Sequence, residues 1–282
     1  MRAIPAVVLP DGERVPALGQ GTWMMAERPK KRAQEIAALQ TGVDLGMTVI
    51  DTAEMYGGGA AEELVAEAVA HRRGEIFLTS KVMPQNARTR RTIASCEASL
   101  RRLKTDRLDM YLLHWRGSVP LDETLDAFSI LKRDGKIRYW GVSNFDVDDM
   151  EEITSLSAAS GELVATNQIL YNLTRRGAEH ALLPWCRSRG IPITAYSPLE
   201  QGKLVTHKTV TTIAERLSVT PAQVALAWVV RQQGVLAIPK SGNVERVREN
   251  RGALQITFAP EDLAQLDHTF PSPTGHTPLE MI

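Results

Sequence analysis

The sequence predicts an α/β fold, a single (β/α)8 barrel of the TIM type preceded by a β-hairpin. Three observations predict it. Eight short apolar runs are each followed by a helical pattern, the units recur about every 30 residues, and 282 residues is a usual length for one such barrel. The runs alternate little between apolar and polar residues, as strands covered on both faces do. No interior linker is rich in Pro, Gly and Ser, so residues 1–282 are expected to form one domain.

The elements follow in order from turn and cap signals. The hairpin is predicted in "VVLPDGERVPAL", where Asp11-Gly12 supplies the turn. The eight strands are predicted at Leu18–Trp23, Thr48–Asp51, Ile76–Val82, Leu108–Trp115, Ile137–Asn144, Val164–Gln168, Pro192–Leu199 and Val235–Gly242. Helices are predicted at 35–46, 60–70, 89–103, 122–135, from 146, at 178–189, at 208–233 with an interruption near Pro221, at 243–250, and briefly after Phe258. The tail "TFPSPTGHTPLEMI" is expected to be irregular and to lie over the surface.

The composition limits the possible functions. With 33 basic and 33 acidic residues, the chain has no net charge that would attract nucleic acid. No apolar run approaches the roughly 20 residues needed to cross a bilayer, and the first residues do not resemble a secretory signal. Cys96 and Cys186 lack metal-ligand spacing, and Cys96 shares an apolar helical stripe, so it is expected in the core and no metal site is expected. We therefore expect a cytoplasmic protein.

Polar residues collect at the ends of the predicted strands, where such a barrel builds its active site. They are Gly21 to Trp23, Asp51 with Tyr56, Lys81, His114 with Trp115, Ser143 with Asn144, Gln168, Tyr196 with Ser197, and Lys240 with Ser241. Taken alone, each has a structural explanation: an Asp caps turns, and a Tyr packs with its hydroxyl in water. A carboxylate, a phenol, an ammonium and an imidazole at one barrel mouth are hard to explain as four coincidences.

Together these four side chains suit the reduction of a carbonyl group. A phenol has a pKa of about 10, too high for an efficient acid at neutral pH, and a nearby ammonium lowers that pKa by stabilising the phenolate. We predict that Tyr56 donates the proton, that Lys81 lowers its pKa and that Asp51 holds Lys81. His114 would orient the reacting oxygen, while a cofactor delivers a hydride to the carbon.

Seven ordered stretches carry a family resemblance: "GMTVIDTAEMYGGG", "LTSKV", "SLRRLKTDRLDMYLLHW", "GKIRYWGVSNF", "TNQILYN", "AYSPL" and "IPKSGNVERVREN". With them the chain resembles the aldo-keto reductases over nearly its whole length, and is similar to bacterial methylglyoxal or small-aldehyde reductases. The resemblance implies a catalytic tetrad of Asp51, Tyr56, Lys81 and His114. It also implies a monomer that binds NADPH (NADP+) extended across the barrel mouth and acts on a small carbonyl compound.

The resemblance implies specific cofactor contacts as well. They are Ser143, Asn144 and Gln168 for the carboxamide, Tyr196 for stacking on the nicotinamide, Ser197, Leu199 and Gly202 for the pyrophosphate, Lys240, Ser241 and Arg246 for the 2′-phosphate, and Glu249 and Asn250 for the adenine, with Gly21, Thr22, Trp23 and Asp51 completing the set.

The residues themselves support the phosphate contacts independently, because barrel phosphate sites use the loops after strands seven and eight. There Lys240 and Arg246 offer two cations, and Asn243 can cap a helix whose amides attract an anion. An Arg near the ribose favours NADPH over NADH.

Short loops predict the substrate class. The connections 115–120 and 200–204 and the tail after Phe270 are short, so the pocket is expected to be open. Trp23, Tyr56, His114 and Trp115 are expected to line it. We expect activity on small aldehydes, dicarbonyls or aryl aldehydes and poor activity on steroids. Arg116, where many relatives carry proline, is expected to be a solvated charge at the rim.

Two alternatives belong to other functional classes. An NADPH-binding sensor with little turnover would fit the cofactor residues, but all four reactive positions are intact and we expect no additional interaction segment. A glycosidase would need two acids at opposed strand ends, and Asp51 alone occupies such a position.

Overall fold

The core of the fold is an eight-stranded parallel sheet. The computed structural model describes residues 4–158 and 161–282. The strands are β1 (Ala6–Val8) and β2 (Arg14–Pro16) of the antiparallel hairpin, then β3 (Gln20–Gly21), β4 (Val49–Asp51), β5 (Phe77–Val82), β6 (Leu108–Leu113), β7 (Ile137–Ser143), β8 (Asn167–Leu170), β9 (Ile193–Tyr196) and β10 (Val235–Ala237) of the parallel sheet. From β3 to β10, each strand pairs with the next in sequence. Parallel bridges Leu18–Ala237 and Gly21–Lys240 join the first strand to the last, which confirms the predicted barrel.

Helices surround the sheet. They are α1 (Arg32–Asp44), α2 (Ala60–Ala68), α3 (Thr89–Leu103), α4 (Leu121–Arg133), α5 (Val147–Ala158), α6 (Leu182–Ser188), α7 (Lys208–Leu217), α8 (Pro221–Val230), α9 (Val244–Gly252) and α10 (Pro260–Thr269). The predicted interruption near Pro221 separates α7 from α8, where Thr220 and Gln223 form a capping box. In the described part of the chain, no helix has the length and apolar character needed to span a bilayer.

Some predicted bounds were wrong. Strand β8 was predicted to end at Gln168, but it continues to Leu170. The polar pair Asn167 and Gln168 looked like a strand end, yet both side chains are buried and hydrogen-bonded inside the fold. Strand β10 is shorter than predicted, because Pro239 follows closely and cannot donate to the ladder. Helix α6 begins at Leu182, several residues later than predicted.

The strand register divides the barrel interior into an apolar end and a polar end. Side chains alternate along a strand, so residues two apart share a face. Towards the beginning of the strands, Val49, Phe77, Met110 and Leu236 pack in one apolar cluster with Val7, Leu9 and Val15 of the hairpin segment. The hairpin therefore plugs one end of the barrel. Two or four residues further along the same faces stand Asp51, Lys81, His114 and Lys240, which places the polar groups at the opposite end.

Candidate active site

The polar end of the barrel opens into a cleft of about 1120 Å³. This exceeds the volume of a typical pocket for a drug-sized ligand. Of the residues singled out from the sequence, those that line it are Gly21, Trp23, Asp51, Tyr56, His114, Trp115, Ser143, Asn144, Gln168, Tyr196, Ser197, Leu199, Gly202, Lys240, Ser241, Arg246, Glu249 and Asn250. Residues from all eight predicted strand ends except that of β5 thus share one cavity.

Lys81 of β5 lies just beneath the cleft floor, fully buried. Its ammonium donates to Asp51 Oδ2 at 2.7 Å, to the Thr52 carbonyl at 2.9 Å and to the Tyr56 hydroxyl oxygen at 3.2 Å. These three bonds use all three donors of a charged lysine. Because the phenol oxygen accepts from Lys81, its own O–H is free to donate into the cleft.

Both carboxylate oxygens of Asp51 accept a hydrogen bond. Its Oδ1 accepts from Gln168 Nε2 at 2.8 Å, and its Oδ2 accepts from Lys81. Thr22 does not line the cleft; its hydroxyl is buried and donates to the Asp51 carbonyl at 3.0 Å. Gln168 therefore holds the carboxylate that pairs with Lys81, and Thr22 holds the backbone of the same residue.

Lys81 affects the pKa of Tyr56 as expected, but the net pKa of Tyr56 differs from the expectation. Burial raises the pKa of Tyr56 above its ordinary value, and the Lys81 cation, which lowers it, offsets only part of this rise. Burial lowers the pKa of Lys81, but Asp51 and Tyr56 outweigh that effect, so its net pKa is raised and the lysine stays charged. Lys81 thus acts on Tyr56 in the predicted direction. The depth of burial, which the sequence does not reveal, decides the net value.

His114 stands across the cleft floor from Tyr56, with ring centroids 5.8 Å apart, and packs on Trp115 at 4.9 Å. Burial, together with the nearby Lys81 cation, lowers the pKa of His114 to about 2. The imidazole is therefore neutral at physiological pH. A neutral imidazole carries no charge but can still donate a hydrogen bond, so His114 is suited to orient a substrate oxygen.

A polar network forms one wall. Asn144 Oδ1 accepts from the Tyr196 hydroxyl at 3.0 Å, and Asn144 Nδ2 donates to Ser143 Oγ at 3.1 Å and to the His114 carbonyl at 3.2 Å. Asn144 has φ +59°, a left-handed conformation that Asn tolerates better than most residues. The hydrogen bond holds Tyr196, which lines the cleft.

The far end of the cleft is cationic. Lys240 is exposed there, yet partial desolvation of its ammonium lowers its pKa; within residues 4–158 and 161–282 no carboxylate pairs with it. Asn243 Oδ1 caps α9 by accepting from the Arg246 amide at 3.0 Å. Two cations and a helix N-terminus therefore converge on one end of the cavity, and such an arrangement attracts an anion.

The sequence interpretation missed several lining residues. They are Met24, Met55, Gln201, Met281 and Ile282, among others. The tail was expected to lie over the surface, but its last residues, Met281 and Ile282, reach the cleft and line it together with Tyr196. Arg175 holds this segment by pairing with Glu280 and, at 2.9 Å, with Glu200. Arg116 pairs with Asp149 and Glu152 outside the cleft, as expected of a rim charge.

Comparison with known proteins gives consistent matches. The model of the aldo/keto reductase family matches residues 17–269. Methylglyoxal reductase YeaE of Escherichia coli strain K12 is 48% identical over 273 residues, covering 95% of both chains. Glyoxal reductase of Bacillus subtilis strain 168 is 34% identical over 261 residues, covering 93% of this chain and 91% of its own. The crystal structure of an aldo-keto reductase from Klebsiella pneumoniae in complex with NADPH superposes with a TM-score of 0.95, at 47% identity, over 100% of both chains.

Proposed function

The chain belongs to the aldo/keto reductase family, a family of oxidoreductases, and from this premise we propose that it reduces small aldehydes and ketones to alcohols with NADPH. Dicarbonyls and aliphatic or aryl aldehydes are the proposed substrates, with Tyr56 as the general acid. The observation that carries the proposal is the contact of 3.2 Å between the Lys81 ammonium and the Tyr56 hydroxyl oxygen at the floor of the cleft.

The cleft fits an extended dinucleotide phosphate. The Lys240 cation, the Arg246 side chain and the capped N-terminus of α9 provide a site for phosphate at one end. At the other end, Tyr196 offers an aromatic face beside the amides of Asn144 and Gln168. The loop between these ends contains Ser197, Gln201 and Gly202 in left-handed conformations, which turn the backbone along the cavity wall. Ser197, Leu199 and Gly202 are the proposed pyrophosphate contacts.

The residues around the tetrad define the proposed mechanism. The chemistry that NADPH supplies when bound is a hydride for the carbonyl carbon. His114 donates a hydrogen bond that orients the carbonyl oxygen, and Tyr56 protonates that oxygen as negative charge develops. Lys81 stabilises the resulting phenolate, and Asp51 keeps Lys81 in place. Since the pKa of His114 is about 2, it holds no second proton at neutral pH, and Tyr56 is left as the donor.

The absorbance of NADPH at 340 nm provides the test of this function. We expect NADPH to be consumed when methylglyoxal or a small aryl aldehyde is added, with the alcohol formed in equal amount. Binding of NADPH without consumption across a panel of aldehydes would instead identify a sensor protein.

Charge at the far end of the cleft is expected to set the cofactor preference. Replacing Arg246 by Ala should raise the Kd for NADPH by about tenfold or more, since charge-assisted hydrogen bonds contribute about 1.5–3 kcal/mol. The Kd for NADH, which lacks the 2′-phosphate, should hardly change. Quenching of protein fluorescence measures both constants. Arg248→Ala is the matched control, because Arg248 lies on the same helix but its side chain is 57% exposed and next to Glu245. Equal losses for NADPH and NADH would contradict this assignment.

The walls of the cleft are expected to favour small substrates. Trp23, Trp115 and Met281 border the cavity near Tyr56 and His114. The connection from β6 to α4, residues 114–120, is short and offers little surface to grip a rigid polycyclic molecule. We expect kcat/KM for methylglyoxal to exceed that for a steroid ketone by at least about tenfold, a difference of about 1.4 kcal/mol. Steady-state kinetics with both substrates at saturating NADPH measure the ratio. A steroid used more efficiently than methylglyoxal would show the substrate class to be wrong.

A further inference from the structure

The turn that carries Tyr56 is rich in glycine, so its own backbone does little to fix the position of Tyr56. Gly57, Gly58 and Gly59 follow Tyr56 directly, with φ values of +57°, +63° and +98°. Glycine is the residue with the most backbone freedom, and three in succession leave a soft connection to α2. The Lys81–Tyr56 contact of 3.2 Å is at the long end of the hydrogen-bonding range, so a small displacement of the turn would break it.

A buried carboxylate restrains this turn from outside the barrel. Glu62 lies in the first turn of α2 and is fully buried. Its Oε1 accepts from Ser80 Oγ at 2.6 Å, and its Oε2 accepts from Arg102 Nε at 2.5 Å. Arg102 of α3 also donates to Ser99 Oγ at 3.2 Å. Glu62 therefore joins α2, β5 and α3.

Ser80 connects this restraint to the catalytic lysine. Ser80 and Lys81 are neighbours in β5, so one side chain points to the helices and the other into the barrel. The Ser80 hydroxyl thus fixes α2 to the same strand that positions the Lys81 ammonium. Arg102 packs over the last glycine of the turn: a Cβ at Gly59 would lie 2.6 Å from Arg102 Cδ.

We propose that Ser80, Glu62 and Arg102 form a positioning network that sets the distance between Tyr56 and Lys81. The network touches neither the cleft nor the reacting atoms. It acts by fixing the helix that follows the glycine turn, α2, to the strand that carries Lys81, β5. This inference rests on the proposed role of Tyr56 as proton donor.

The test compares three variants of the full-length protein with a control. Glu62→Ala removes the centre of the network, Glu62→Gln keeps its shape without its charge, and Ser80→Ala removes the link to β5. Glu67→Gln is the matched control, because Glu67 lies on the same helix but forms an exposed pair with Arg32. The measurements are kcat for a small aldehyde, the solvent deuterium isotope effect on kcat, the Kd for NADPH and thermal unfolding.

We expect kcat to fall about tenfold in Glu62→Ala and less in Glu62→Gln and Ser80→Ala, at an unchanged Kd for NADPH. The solvent isotope effect should rise in the same order, because a misplaced acid makes proton transfer more rate-limiting. A purely structural role would lower thermal stability and leave the isotope effect as in the wild type, and that outcome would overturn the proposal. If Glu62→Ala does not fold, Ser80→Ala gives the answer by the same two criteria.

The same assays on Tyr56→Phe separate this inference from the proposed function. An inactive Tyr56→Phe together with wild-type kinetics in the network variants would reject the network alone. An active Tyr56→Phe would reject Tyr56 as the donor, and the network proposal with it.

Discussion

Replacing Tyr56 by Phe is expected to abolish carbonyl reduction while leaving NADPH binding nearly intact. The change removes a single oxygen at the cleft floor, the one that accepts from Lys81 and faces the cavity. Loss of a general acid costs about 10²- to 10⁴-fold in rate, and we expect kcat to fall within that range. The Kd for NADPH should stay within about twofold, because the phosphate site lies at the other end of the cleft. Single-turnover kinetics and fluorescence titration measure the two effects.

Tyr139→Phe is the control for this experiment. It also removes one phenolic oxygen, but at the hairpin end of the barrel, where Tyr139 donates to Asp11 and Glu13. We expect its turnover to equal that of the wild type. Near-normal turnover in Tyr56→Phe would contradict the role of Tyr56 as proton donor and would require another donor. His114 is not a ready replacement, because its low pKa leaves it without a second proton to transfer at neutral pH.

Replacing Lys81 by Met is expected to damage both stability and activity. Asp51 is only 3% exposed, so removing its cation leaves a buried carboxylate with the Gln168 amide as its remaining side-chain partner. Breaking a buried pair from one side costs about 3–5 kcal/mol of unfolding free energy. Turnover should fall as strongly as in Tyr56→Phe, because the phenolate loses its neighbouring cation. Urea unfolding and the NADPH assay measure these two losses separately.

The double variant Lys81→Met/Asp51→Asn tests whether the two losses have different causes. Neutralising the orphaned carboxylate should restore much of the stability, since a buried ion pair adds little net stability over a neutral pair. It should restore no activity, because the cation beside Tyr56 is still missing. Recovery of turnover in the double variant would show that Lys81 serves folding and not the chemistry.

The strand periodicity explains why much of the site could be predicted from the sequence. Once Asp51, Lys81 and His114 are placed near the ends of parallel strands, their side chains must meet at one mouth of the barrel. The local signal is strong, since each follows an apolar run. The family resemblance supplied the remaining cofactor positions, which no periodicity indicates.

The parts that could not be predicted depend on contacts between distant segments. Met281 and Ile282 belong to a tail without periodic pattern, and they reach the cleft because Glu280 pairs with Arg175, 105 positions earlier. No local pattern distinguishes Glu62 from its neighbour Glu63, and the burial of Glu62 is stabilised by Ser80 and Arg102. The net pKa of Tyr56 depends on how deeply it is buried, which no local pattern records.

The Lys81 cation lowers the pKa of Tyr56 against the effect of burial, a claim that NMR of ¹³Cζ-labelled tyrosine examines directly. The chain has 5 tyrosines, and Tyr56→Phe identifies the relevant resonance. We predict that Tyr56 titrates at lower pH in the wild type than in Lys81→Met/Asp51→Asn, with an acid dissociation constant at least about tenfold larger. The same titration midpoint in both proteins would contradict the claim.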